Sequence, residues 1–465
     1  MARRSTKVAS EPQVRPLTRA AGEFVAGVAF QDLPADAVRT ARTGFTDCIG
    51  TMIAGSVELA PKLMRRVLGI GGGSGEASLY LGRERGPAPD AAWINGVAGH
   101  ALDYDDVALR GHPSTVLVPA LLAEGEALGS SGRDLITAYV AGYEVWAELV
   151  SREPDHHHEK GWHPTGIFGA IGAAAAVAAL RKLDAASAVH AIGLGASQAS
   201  GIMANFGTMT KPFHAGRAAH AGIIAARLAA AGFTASADAL EHPQGFLAAV
   251  SPKGRVDRES APRGLGQAWR IVEEGLSIKK YPCCYCTHRA LDAMLDLVAA
   301  RPLEPERIKR ITVSLSKTHA TILRNHRPST GLAAKFSMEF AMAAAVIARR
   351  VGLAELTDDF VGRRDVQELM TRVSLEPNEN YDTESLGGSV YDQVIVHLAD
   401  GVVLQSEQVR RARGHAERPL AREELEQKFR GCLEAAGRAS RADALFARLE
   451  RLEELGSARE LAEAR

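Results

Sequence analysis

The chain has 465 residues, enough for two or three domains around large apolar cores. Its 55 basic and 55 acidic side chains cancel, so no basic footprint points to nucleic acid, and any anionic ligand must be met by local charge. Aromatics are only 5% of residues while alanine is abundant, which favours closely packed helices over sheet and predicts a mostly α protein.

Residues 1–15 read as a disordered tail, basic but with no apolar run behind it, and so not a secretory signal. From Pro16 to Gly55 apolar residues recur at helical spacing, broken at Pro34 and Asp36. The glycine-rich stretch GIGGGSGEAS from Gly69 lacks the fixed offsets and the Lys-Ser/Thr pair of nucleotide loops, and reads as a flexible turn. GLGASQ at Gly193 to Gln198 likewise lacks a third glycine.

A helix is expected from Asp90 to His100, running toward the acidic cluster Asp103-Tyr104-Asp105-Asp106. After a break at Gly111, His112-Pro113 opens a helix to about Leu128, and another covers Asp134 to Val150. His156, His157 and His158 follow. Adjacent side chains diverge, and with Asp155, Glu159 and Lys160 beside them the three read as a solvated loop, not a metal site. His163-Pro164 then opens an Ala/Gly helix whose uncharged run to Leu180 is too short and too weakly apolar to span a membrane.

Ala185 to Ser200 is helical, and Gly207 to His220 reads GTMTKPFHAGRAAH. Pro212 suits a first helical residue, which holds Lys211 extended at the helix mouth, beside unpaired N–H groups that favour an anion. The plainer alternative is a surface lysine at a helix cap. Pro252 to Gly266 is rich in Pro, Gly and charge and marks a boundary. Beyond it, Lys279-Lys280-Tyr281-Pro282 leads into another helix and Ile308 to Ser316 alternates like a half-buried strand. Phe336 to Arg349 is helical, and Val390 to Val409 reads as a hairpin turning at Asp400-Gly401. From about residue 420 charged amphipathic helices return, expected to pack on the first helical domain. The division is thus helical at 16–262 and 411–465, with an α+β lid at 263–410. Five cysteines, three of them clustered at Cys283, Cys284 and Cys286, do not make a disulfide framework and suggest a reducing, cytoplasmic setting.

His112-Pro113, His163-Pro164, Lys211-Pro212 and Lys279-Lys280-Tyr281-Pro282 each place a cationic or proton-donating group at a proline-marked helix start. If these starts face one cleft, lysines, histidines and helix-dipole ends converge in a neutral protein, and a di- or tricarboxylate is the ligand they suit. A carboxylate of the 103–106 cluster paired with His112 would supply a base for a proton α to a carboxylate, with buried cations steadying the resulting enolate. Asp103, His112, His163, Lys211 and Lys279 are the catalytic candidates. Arg217, Lys280, Tyr281, Cys284 and His288 are candidate substrate-binding groups. For any one of them a capping or core role is an equal reading, and only the set argues for chemistry.

No metal or organic cofactor is expected. Asp103-x-Asp105-Asp106 lacks the second acidic cluster of a Mg²⁺–diphosphate site, and Cys283, Cys284, Cys286 and His288 lack zinc-knuckle spacing. The non-enzyme alternative is a helical scaffold for a partner protein.

The segments GHALDYDDV (99–107), GHPSTVLVPA (111–120), GWHPTG (161–166), NFGTMTKPFHAG (205–216) and KKYPCCYCTH (279–288) resemble those of the MmgE/PrpD family. That family includes 2-methylcitrate dehydratases, cis-aconitate decarboxylases and iminodisuccinate epimerases. The resemblance runs from about residue 16 to the C-terminal helices. It implies a large all-helical domain built from both chain ends, a smaller α+β lid, a homodimer, and an active site without metal or organic cofactor that uses Asp103, His112, His163, Lys211 and Lys279. Val107 stands where the decarboxylases usually have threonine, and Cys284 where they tend to have histidine. The resemblance therefore implies a 2-methylcitrate dehydratase-like lyase first, an iminodisuccinate-type epimerase second, and a cis-aconitate decarboxylase after these.

Overall fold

The computed structural model describes residues 16–80, 82–262, 264–383 and 387–464. The tail expected at 1–15 lies outside the described residues. Helix dominates, and among the described residues sheet is confined to a two-stranded ribbon and one four-stranded sheet. No described helix is long and apolar enough to cross a membrane.

Two apolar cores divide the chain. The first gathers residues from Leu17 to Ile278 and takes in Phe429, Leu433, Leu445 and Leu461 from the C-terminal end. The second runs from Tyr281 to Leu398. The chain therefore crosses from one core to the other within a few residues of Lys279.

Five helices of the first core position the site: α1 (Ala88–Ala101), α2 (Ser114–Leu128), α3 (Gly132–Ser151), α4 (Pro164–Leu180) and α5 (Thr210–Ala230). Helix α4 is buried at every residue from Pro164 to Ala178, because alanine and glycine let neighbours approach on all sides. Helices α1 and α5 touch backbone to backbone: a Cβ added to Gly216 would stand 2.2 Å from the Trp93 carbonyl oxygen, so only glycine fits. Asp90 faces His220 at one end of this crossing, and Trp93 packs on Phe213 nearer its middle. The two helices are antiparallel, and the C-terminal end of α1 lies beside the N-terminal end of α5.

In the second core, α6 (His288–Ala300) and α7 (Met338–Ala348) pack with strands β1 (Ile308–Ser316), β2 (Val373–Asn378), β3 (Gln393–Leu398) and β4 (Val403–Gln405). The sheet order is β2-β1-β3-β4. Strand β1 pairs parallel with β2 and antiparallel with β3, and the β3–β4 hairpin turns at Asp400-Gly401, Gly401 having φ of 87°. The strand and hairpin thus fall where alternation and the Asp-Gly pair place them. Helix α8 (Arg422–Ala435) returns to the first core, where Lys428 pairs with Asp47 at 2.5 Å and donates to the Tyr104 carbonyl at 2.8 Å. Helix α8 thereby buttresses the loop after α1.

Three local expectations are corrected. Helix α5 begins at Thr210, so Lys211 is helical and not extended. Pro212 is tolerated there because first-turn N–H groups have no intrahelical acceptor to lose. Pro282 opens no α-helix: a bend and a short 3₁₀ turn at Tyr285–Thr287 come before α6. The His156–His158 segment is not a solvated loop. His157 is buried against Phe168, and Asp155 is buried and paired with Arg255 and Lys253.

Candidate active site

A cavity of about 940 Å³ lies between the two cores, and its wall includes Asp103, His112, His163, Lys211, Lys279 and Cys284. Three of the four proline-marked sites, together with Lys279 from the fourth, therefore face one space.

Asp103 is the hub. Helix α1 ends at Ala101, and Asp103 adopts φ of 51°, a left-handed conformation that aspartate tolerates better than most residues. Its Oδ1 accepts from Lys211 Nζ at 2.6 Å and from Lys279 Nζ at 2.9 Å, while Lys279 also donates to the Asp103 carbonyl oxygen at 2.8 Å. All three residues are at least 95% buried. Burial opposes ionisation of Asp103, but Lys211 and Lys279 outweigh it and hold the carboxyl well below the usual range. Burial likewise works against charge on Lys279, and Asp103 outweighs it, so its ammonium is held above the ordinary lysine value. Lys211 Nζ also stands 5.5 Å and 5.6 Å from the ring centres of Phe206 and Phe336. Each ammonium has three N–H donors, and the contacts named leave donors for a ligand.

Asp105, not Asp103, pairs with the imidazoles. His100 Nδ1 lies 2.8 and 2.9 Å from the two Asp105 oxygens, and His112 Nδ1 lies 3.2 Å from Asp105 Oδ2 and 2.8 Å from the Asp106 carbonyl oxygen. These acceptors fix the proton of each ring on Nδ1, so Nε2 of His112 carries a lone pair. Burial keeps both rings neutral, lowering His112 and taking His100 down to about 3. Asp106 turns back to cap α2, accepting from the Ser114 hydroxyl at 2.5 Å. His163, at the start of α4, packs edge-on against Phe206 and meets His214 Nδ1 to Nδ1 at 3.0 Å.

The structure does not bring every candidate here. Arg217 lies over Trp93 and against His220. Lys280 pairs with Glu424 at 2.7 Å, Tyr281 donates to Asp292 at 2.6 Å, and His288 is buried beside the Cys283 carbonyl. None of the four lines the cavity, whereas Cys284 and Cys286 do. The carboxylate of the 103–106 cluster that pairs with His112 is thus Asp105, while the residue pattern missed His100 and His214 as parts of the network. It also missed His156, His158 and His319 on the wall.

His100, Asp103, Asp105 and His112 place ligand atoms within 4.8 Å of one another, a spacing that a metal ion could use. The donor chemistry argues otherwise. Both Asp105 oxygens already accept from imidazole, and Asp103 holds two ammonium ions that would repel a third cation.

Residues 19–259 match the model of the MmgE/PrpD N-terminal domain and residues 281–453 that of the MmgE/PrpD C-terminal domain. The sequence is 31% identical over 359 residues to the cis-aconitate decarboxylase of Homo sapiens, covering 74% of this chain and 72% of that protein. It is 29% identical over 401 residues to the Mus musculus cis-aconitate decarboxylase, covering 82% and 80%. It is 25% identical over 466 residues to the cis-aconitate decarboxylase of Aspergillus terreus, covering 94% of each chain.

Proposed function

The chain belongs to the MmgE/PrpD family, and from that premise we propose that it is a lyase acting on a small di- or tricarboxylate through a carbanion beside one of the substrate's carboxylates. The observation that carries this reading is the pairing of Lys211 and Lys279 on a single Asp103 oxygen within the cavity that His112 and His163 also line. One substrate carboxylate lies on the ammonium donors that Asp103 leaves unused. As the adjacent carbon gains negative charge, those fixed cations steady the enolate without having to reorganise. His112, neutral and with Nε2 unprotonated, is the base. Asp103, held ionised by two lysines, is too weak a base for that step and keeps the lysines aimed.

Dehydration of a 2-methylcitrate-like hydroxy acid and epimerisation of an iminodisuccinate-like acid both begin with this proton removal. They differ in whether a β-hydroxyl leaves or the proton returns on the opposite face. Decarboxylation of cis-aconitate, the activity named for the relatives, reaches a comparable carbanion by loss of CO₂ and then needs a proton delivered to it. Val107, which lines the cavity, favours the first two; the relatives favour the third. Incubation with 2-methylcitrate, citrate, cis-aconitate and iminodisuccinate, with products followed by NMR, tests the proposal. Conversion of one of them supports it and identifies the reaction, and no conversion of any would refute it.

A further inference from the structure

Two rings at the cavity wall meet nitrogen to nitrogen. His163 and His214 place their Nδ1 atoms 3.0 Å apart, with ring centres 5.3 Å apart and planes inclined by 58°. Such a contact needs one hydrogen between its atoms, because two N–H groups would clash and two lone pairs would repel. Burial keeps both rings neutral, with Lys211 adding to the effect: His214 is taken down to about 4 and His163 is also held well below the usual range. The rings must therefore be opposite tautomers, one protonated on Nδ1 and the other on Nε2.

The fold forces this contact. His214 follows Lys211 by three residues on α5, and its ring occupies the space beside Gly201, where an added Cβ would stand 3.0 Å from His214 Cγ. The Gly201 carbonyl accepts the backbone N–H of His163 at 3.1 Å, so one glycine seats both residues. His163 faces the cavity, while His214 is absent from its wall and stands behind it.

We propose that His214 is a positioning residue for the lyase reaction: by engaging Nδ1 of His163 it sets whether His163 offers the substrate a bare Nε2 or an Nε2–H, and it exchanges the Nδ1 proton as that state changes. This rests on the polycarboxylate reading of the cavity. The proton balance closes. When His163 Nε2 takes a proton, the proton on its Nδ1 moves to Nδ1 of His214, leaving His163 neutral with Nε2–H and the charge on His214. The reverse transfer accompanies donation to the substrate.

The test combines spectra with kinetics. In protein labelled with ¹⁵N-histidine and free of substrate, His163 and His214, assigned with His163→Asn and His214→Asn, should show opposite tautomers. In His214→Leu the His163 resonances should move toward a tautomer mixture. Its kcat should fall on the order of 10²-fold with KM changed by no more than a few-fold, as expected for loss of acid–base positioning. His214→Asn, whose amide keeps a hydrogen-bonding atom near the Nδ1 position, should recover much of that loss. Identical tautomers for the two rings in the unsubstituted protein, or a kcat for His214→Leu within about 3-fold of it, against the 10²-fold scale of such contributions, would overturn the proposal. The spectra need no substrate, so a protein inert toward every polycarboxylate tried would refute the lyase reading while leaving the paired tautomers visible.

Discussion

Lys211 and Lys279, 68 positions apart in sequence by their numbers, donate to the same oxygen, Asp103 Oδ1, at 2.6 and 2.9 Å. One lysine comes from the first turn of a helix and the other from the crossover between the cores, so the carboxylate ties the two halves of the molecule at the cavity floor. Asp103→Ala leaves two buried ammonium ions without their carboxylate and should cost about 3–5 kcal/mol. Urea unfolding should show it as a lower midpoint with little change in slope. Lys211→Met should cost less, because Lys279 still pairs with Asp103.

Asp105 fixes His112 with its proton on Nδ1 and raises its basicity. Asp105→Asn removes the negative charge and makes His112 harder to protonate. The acid limb of kcat/KM should move to lower pH, and kcat should fall by roughly 10-fold or more, within the span of general-base effects. An unmoved limb would show that His112 is not the titrating base.

Several buried histidines should govern stability in mild acid. His100, His157 and His288 are each pushed down to about 3, by burial first, from the ordinary histidine value of 6.5. Between those values the unfolded chain binds protons that the folded protein refuses, so stability falls as pH drops below about 6.5 and is fully present above it. Each such histidine contributes a slope of about 1.4 kcal/mol per pH unit well inside that window. Melting temperatures measured from pH 7.5 to 4.5 at constant ionic strength should decline steadily. A flat profile would count against burial of these rings in the neutral form.

Chelation separates the proton network from a metal centre. With Asp105 already accepting from two imidazoles and Asp103 from two ammonium ions, EDTA should leave turnover unchanged. Activity lost on chelation and restored by a divalent ion would reassign His100, Asp103, Asp105 and His112 as ligands.

What could be read from the sequence, and what could not, follows from the range over which residue spacing carries information. Helices, β1 and the hairpin were legible because periodicity and turn chemistry are local. The convergence of His112, His163 and Lys211 was signalled by the prolines beside them. His214 was within reach, since residues three apart share a helix face and it follows Lys211 by three. The same geometry turns Arg217, six residues on, to the far side of α5, where it meets Trp93. Lys280 adjoins Lys279 in an irregular stretch, so the two point apart, and Lys280 finds Glu424 on α8. The pairing of His100 with Asp105 had no periodic signal, because the helix ends between them and the left-handed turn at Asp103 decides where Asp105 points. The histidines at 156–158 looked solvated because nothing local shows that Lys253 and Arg255, about 100 positions later, return to neutralise Asp155.

The most direct test of the central claim is solvent-deuterium incorporation at the carbon beside a substrate carboxylate, followed by NMR in D₂O for the unsubstituted protein and for Lys211→Met. The charged pair on Asp103 predicts incorporation or turnover-linked labelling by the former, and a rate lower by roughly 10²-fold or more in the latter, the scale expected when a fixed donor to the developing oxyanion is removed. Equal labelling by the two proteins, or none by a folded unsubstituted protein with any of the four acids, would contradict it.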